Sequence, residues 1–139
     1  ISTAITAAET GHLVLASLHS GSATQTIERI IDVFPHYQQE QIKIQLANCL
    51  QGIISQQLAP KIDGTGRVVA AEVLVATPAI RNLIRENKIH QIYSAIQTGS
   101  SHGMITMERA LKNLYQKGWI SLEELNKRLL SSGLETHYI

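Results

Sequence analysis

The stretch TGHLVLASLHS, residues 10 to 20, carries His12 and His19 seven positions apart around a run that is almost wholly apolar. A neutral imidazole donates with one ring nitrogen and accepts with the other, so a histidine facing a site can hydrogen-bond a phosphate or the partners of an attacking water. Metal ligation by this pair is excluded. An extended strand advances roughly 3.3 Å per residue, which would put the two rings some 20 Å apart, and no third ligand is at hand. The single Cys49 has no CxxC or Cys/His cluster around it. Glu9 and Thr10 directly precede the histidine run, Arg67 follows the turn Asp63-Gly64-Thr65-Gly66, and Arg81 and Arg85 stand four apart in AIRNLIRE (Ala79, Ile80, Arg81, Asn82, Leu83, Ile84, Arg85, Glu86).

The elements that must hold these groups follow from periodicity and punctuation. TAITAAE predicts a helix that Thr10-Gly11 closes, because Gly takes a left-handed cap. HLVLAS, His12 to Ser17, is short and apolar, and reads as a strand buried on both faces, as in a parallel sheet. His12 then stands at its entrance, and His19 just past its carboxyl end in the small-residue loop LHSGSA, the end at which ligands bind in open α/β sheets. Ser22 and Gln25 form a capping pair for a helix from about Ala23 to Phe34, which Pro35 ends. A longer helix is expected from Gln38 to Leu58, with Ile42, Leu46, Leu50, Ile53, Ile54 and Leu58 on one stripe. RVVAAEVLVA, Arg67 to Ala76, has the β-branched content of a strand. Thr77-Pro78 caps a helix over Ala79 to Glu86. A short helix closed by Gly99 and a polar loop to Gly103 come next, then helices over Thr106 to Lys117 and Ser121 to Leu130, the last with a capping box at Ser121 and Glu124.

Composition limits what this assembly can do. The 139 residues are 44% apolar and 17% charged, about one domain's worth of chain. A net charge of +1 and 4% aromatic content give neither the field nor the stacking platforms of a nucleic-acid binder. No run reaches the ~18 apolar residues of a membrane span, so no direct membrane insertion is expected. One cysteine fits a reducing cytoplasm. The chain starts at Ile1 without Met, inside an amphipathic helix, and two or so strands do not make an independent sheet; it reads as a piece of a longer protein.

TAAETGHLVLASLHS resembles the histidine box of the secretion and pilus motor ATPases, and AIRNLIRE with SAIQTG resembles their retraction branch, which drives twitching motility through type IV pili. AIRNLIRE matches that branch's motif at all eight positions. Ser17 and Ser20 stand where threonine is common, and Ser100 and His102 replace the usual Gly and Leu. The resemblance runs to about Leu130.

It implies an α/β fold: the C-terminal part of a RecA-like ATPase core over residues 1–76, followed by a helical tail over 77–139. It further implies a homo-hexamer that hydrolyses ATP with Mg2+ and works on an inner-membrane pilus platform protein from the cytoplasmic face. The GxxxxGK[ST] loop and the magnesium-binding acids are absent from this sequence, so the main nucleotide-binding groups fall outside it and the chain alone is expected to be inactive. Within the chain the resemblance makes His19 the phosphate-sensing residue and His12 its partner in the box. Glu9, Thr10 and Arg67 fall to the nucleotide site, and Ala79 to Glu86 to coupling or partner contact.

The residues themselves leave simpler readings open. His12 can be a packed histidine satisfied by a backbone carbonyl, Glu9 and Thr10 plain helix-end residues, and Arg67 part of an ordinary turn. Arg81 and Arg85 can be a solvated basic face that repels itself mildly. His36, His90, His102 and His137 are expected at the surface or in loops, Trp119 as an anchor between helices, and Cys49 as an inert buried thiol. Two further functions remain: a non-catalytic assembly or adaptor module of the same fold, or a pilus-extension or type II secretion ATPase.

Overall fold

The computed structural model describes residues 1–132; His137, expected at the surface, lies outside them. Helix α1 (Ser2–Glu9) ends where expected: Gly11 takes a left-handed φ of 96°, and the His12 and Gly11 amides return to the carbonyls of Ala7 and Ala8. Helix α2 (Ala23–Asp32) starts on Ser22, whose hydroxyl accepts from the Gln25 amide, and buries Ile27, Ile30 and Ile31. A 3-10 turn at His36–Gln38 leads into α3 (Gln39–Cys49), which buries Ile42 and Leu46.

Two expectations fail here, for different physical reasons. The helix does not continue to Leu58. Gly52–Pro60 is a strand, β1, paired antiparallel with β2 (Arg67–Val75), from Gly52 opposite Val75 to Pro60 opposite Arg67. Its apolar spacing misleads because the covered face carries Ser55 and Ala59, whereas Ile54, 66% exposed, and Leu58 point to solvent. A distant partner strand overrides the local helical stripe. The second failure is His12 to Ser17, which forms no strand. A strand needs a hydrogen-bonded neighbour and, to be buried on both faces, a covering layer on each; no pairing strand is present among the described residues, and Leu13 and Leu15 are 83% and 88% exposed.

Beyond the hairpin the elements follow the sequence closely. Thr77 caps α4 (Pro78–Arg85), with Pro78 in its first turn. A 3-10 turn at Ile89–Gln91 precedes α5 (Ile92–Gln97). Another at Ser100–His102 ends on Gly103 at φ 82°. Thr106 caps α6 (Met107–Gln116) and Ser121 caps α7 (Leu122–Ser131). Glu124 supplies only half of the expected capping box, its carboxylate being held by Arg128 at 2.7 Å.

These elements enclose two hydrophobic clusters. One joins α1 to α5 with Leu74, through residues such as Ile27, Leu46, Ile80, Ile84, Ile92 and Ile96. The other sets α6 and α7 on the far half of the hairpin, through Ala59, Ala70, Leu111, Ile120, Leu125 and Leu129. The result is a mixed helix and strand fold, a small sheet with flanking helices, as the sequence led one to expect at the level of class. Trp119 is not an anchor between helices. It is 44% exposed, and the Lys61 ammonium sits 5.0 Å from its ring centre while its carbonyl accepts from the Ile62 amide.

Candidate functional site

The His19 loop is held from several directions. The Arg29 guanidinium, in the last turn of α2, donates to the His19 carbonyl. Ser20 Oγ lies 2.5 Å from Thr26 Oγ1, and the buried Thr26 hydroxyl donates to the Ser22 carbonyl at 2.8 Å. The Gly21 amide donates to Gln25 Oε1 at 3.0 Å. The Ala23 amide, at the start of α2, donates to Glu72 Oε1 at 2.8 Å. The His19 side chain takes no part in this web and is exposed. A fixed main chain carrying a free imidazole suits a group that meets something from outside the loop. The N-terminus of α2 is already taken by Ser22 and Glu72, so an anion arriving here meets the imidazole and not a bare helix end.

His12 is built differently. Its Nδ1 lies 3.2 Å from both the Ala7 carbonyl and Thr10 Oγ1, while Thr10 donates to the Ala7 carbonyl at 2.9 Å. In the Nδ1–H tautomer the ring donates to Ala7 and leaves Nε2 as an outward acceptor. Glu9 accepts from Gln45 Nε2 on α3 at 3.0 Å. Glu9, Thr10 and His12 therefore gather at the end of α1. His12 and His19 make no hydrogen bond to each other among the described residues. Arg67 is exposed at the far end of β2, five residues and roughly 17 Å along the strand from Glu72, with no hydrogen bond to the histidine segment.

AIRNLIRE forms α4, with Ile80 and Ile84 fully buried and Leu83 packed beside them. Its arginines do not simply face water. Arg81 donates to the carbonyls of Ala47 at 2.5 Å and Asn48 at 3.0 Å, the negative end of α3. Arg85 donates to the side-chain oxygens of Asn82 at 2.7 Å and Asn48 at 3.1 Å. Both guanidinium groups thus meet acceptors on or beside the α3 terminus.

Sequence reasoning missed Glu72. It is 3% exposed on the covered face of β2, opposite Ser55, and its second oxygen accepts from the Met107 amide at 3.1 Å. The signal was available: one carboxylate in the apolar run VVAAEVLV must be satisfied internally. Cys49 is only partly buried, and its thiol is pushed up from its ordinary range by burial and then by the charge of Glu9, which leaves it mostly protonated and unreactive at neutral pH.

No group of three or more His, Cys, Asp or Glu among the described residues gathers to hold a metal ion. No helix among the described residues is long and apolar enough to cross a membrane.

The family model described as "Type II/IV secretion system protein" matches residues 1–127. The type IV pilus retractation ATPase PilT of Pseudomonas aeruginosa is 54% identical over 125 residues, covering 90% of this chain and 36% of that protein. The twitching motility protein of Neisseria gonorrhoeae is 48% identical over 132 residues, covering 95% and 35%. The chain thus spans about a third of the length of these curated relatives. A crystal structure of the pilus retraction motor PilT with bound ADP superposes with a TM-score of 0.81 at 53% identity, over 91% of this chain and 35% of that one. The Legionella pneumophila ATPase DotB gives 0.77 at 26% identity, over 95% and 35%. With the family model covering nearly all of its length, the chain belongs to the type II/IV secretion system protein family.

Proposed function

We propose that this chain is the C-terminal portion of an ATP-driven motor that retracts type IV pili. Residues 1–76 contribute to a RecA-like core and residues 77–139 form the coupling tail, a division of roles, since α4 and α5 share the first hydrophobic cluster with α1 to α3. The motor is a homo-hexamer at the cytoplasmic face of the inner membrane, working on a platform protein of the pilus. The groups that cradle the phosphates and Mg2+ lie outside this sequence, and the chain alone does not turn over ATP.

Within that motor His19 senses the γ-phosphate, and the observation that carries this reading is its exposed ring on an immobilised loop. His12 is its partner in the box; Glu9, Thr10 and Arg67 contact the nucleotide. A contact present with ATP and lost with ADP biases the conformations of the ring, and only such a differential contact can drive motion. AIRNLIRE passes that motion on through the Arg81 contact with α3. A secretion or pilus-extension ATPase is the second reading, favoured by the breadth of the family description.

Replacement of His19 by Ala at its own locus tests both the role and the class. Loss of surface twitching and of ATP turnover by the purified motor, with pili still assembled, is the expected result. Unchanged turnover and twitching would remove the sensing role, and loss of pilus assembly or of secretion with twitching spared would favour the second reading. An adaptor would show no ATP turnover in either form.

A further inference from the structure

Glu72 is the one Asp or Glu among the described residues that is buried, and neither histidine chemistry nor the AIRNLIRE helix accounts for it. Its two oxygens serve two helices. Oε1 accepts from the Ala23 amide, the first residue of α2, and Oε2 from the Met107 amide, the first residue of α6. No cationic side chain pairs with it among the described residues. Its charge is met by donors left unsatisfied at helix starts, where the helix dipoles favour an anion. Ala23 belongs to the first hydrophobic cluster and Met107 to the second, so the carboxylate ties the two together at a point four residues after His19.

We propose that Glu72 is a positioning residue for His19: by holding the starts of α2 and α6 on one carboxylate, it makes the presentation of the His19 ring depend on how α6 is docked. The proposal rests on the sensing role for His19 given above. Sequence distance makes the link specific, because Ala23 and Met107 are far apart in the chain and meet on a single side chain of β2. A shift of α6 must either break the bond to Oε2 or move the carboxylate and, with it, the first turn of α2. Ser20, Ser22 and Thr26 then transmit that displacement to the loop through their short hydrogen-bonded chain.

Two variants of the full-length protein that contains this chain, followed by NMR without nucleotide, test the link. Glu72→Gln keeps the shape but turns an amide NH2 against one of the two backbone donors. Amide exchange at Ala23 and Met107 should rise by about tenfold, as expected for a lost charge-assisted bond, while the His19 ring signals move. Amides of Ile84 and Leu125, one in each cluster, report whether the fold is intact. Thr106→Ala removes the side-chain cap of α6 and touches nothing in the His19 loop. It should also move the His19 signals and speed exchange at Ala23, and that effect should vanish in the double variant. Thr106→Ala leaving His19 and Ala23 at their original values overturns the proposal, and does so even where Glu72→Gln fails to fold. The readout needs no ATP, so a His19→Ala motor with normal turnover would refute the sensing role while the positional link still stood or fell on these spectra.

Discussion

At the scale of single residues, the arginines of AIRNLIRE show how a basic pair can be spent inside a fold. Arg81 lies against two carbonyls at the end of α3, both reached by its Nη1, and a lysine ammonium, one bond shorter, falls short of that position. Arg81→Lys should therefore lower the unfolding free energy by about 1–2 kcal/mol in urea denaturation. Arg85, exposed and held by asparagine side chains, should tolerate Lys within about 0.5 kcal/mol. Equal losses at the two positions would mean that Arg81 is no more engaged than its neighbour. The pairing also bears on coupling: because Arg81 grips α3 and Glu9 at the end of α1 reaches Gln45 on that same helix, α3 stands between the motif and the histidine segment.

At the scale of elements, the decisive local choice is the change from helix to strand between Cys49 and Gly52. Gly52 faces the backbone across the ladder, and a Cβ there would come within 2.9 Å of the Leu74 carbonyl oxygen, a contact that no flexible side chain can relieve. Gly52→Ala should destabilise the fold by about 1–3 kcal/mol in a urea titration, through displacement of the first β1 pairing. A neutral result would show that the strand end yields freely. This junction also marks where the sequence stopped being legible. Caps at Ser22, Thr77 and Ser121, the Gly11 stop and the helical stripes of α2 and α4 were readable because each depends on residues within a turn of one another. β1 was not, because its covered face holds Ser55 and Ala59 and its identity comes from pairing with residues 67–75. The His12–Ser17 segment looks like a buried strand and has no strand neighbour among the described residues. The site divided the same way: the exposed histidines were visible in the spacing, whereas Glu72 and Arg29 act through long-range or backbone contacts that no spacing rule records.

At the scale of the whole molecule, the contacts between the two hydrophobic clusters include three, among the described residues, that differ in what breaks them. One is the Glu72 carboxylate; another is the backbone pairing of Val73 with Ile105. The third is the Tyr93 hydroxyl of α5, which donates to Glu108 Oε2 on α6 at 3.0 Å, while Lys112 holds the other oxygen at 2.5 Å. Burial, followed by the hydrogen bond to Glu108, pushes the Tyr93 phenol up to about 12 from an ordinary 10.0. A phenolate there would lose its proton bond and face a carboxylate. Since the folded value is raised, the neutral phenol favours the folded state fully below pH 10, and that contribution fades as pH climbs from 10 to about 12. Ultraviolet titration of tyrosinate should then show one phenol still protonated after the ordinary range, and Tyr93→Phe should remove that late step. The same variant should flatten part of the fall in urea stability across this window, because the unfolded chain no longer gains by releasing that proton. Titration of Tyr93 in the ordinary range, with no change on replacement, would mean that the α5 to α6 contact is open in solution and that the clusters are joined through the hairpin alone.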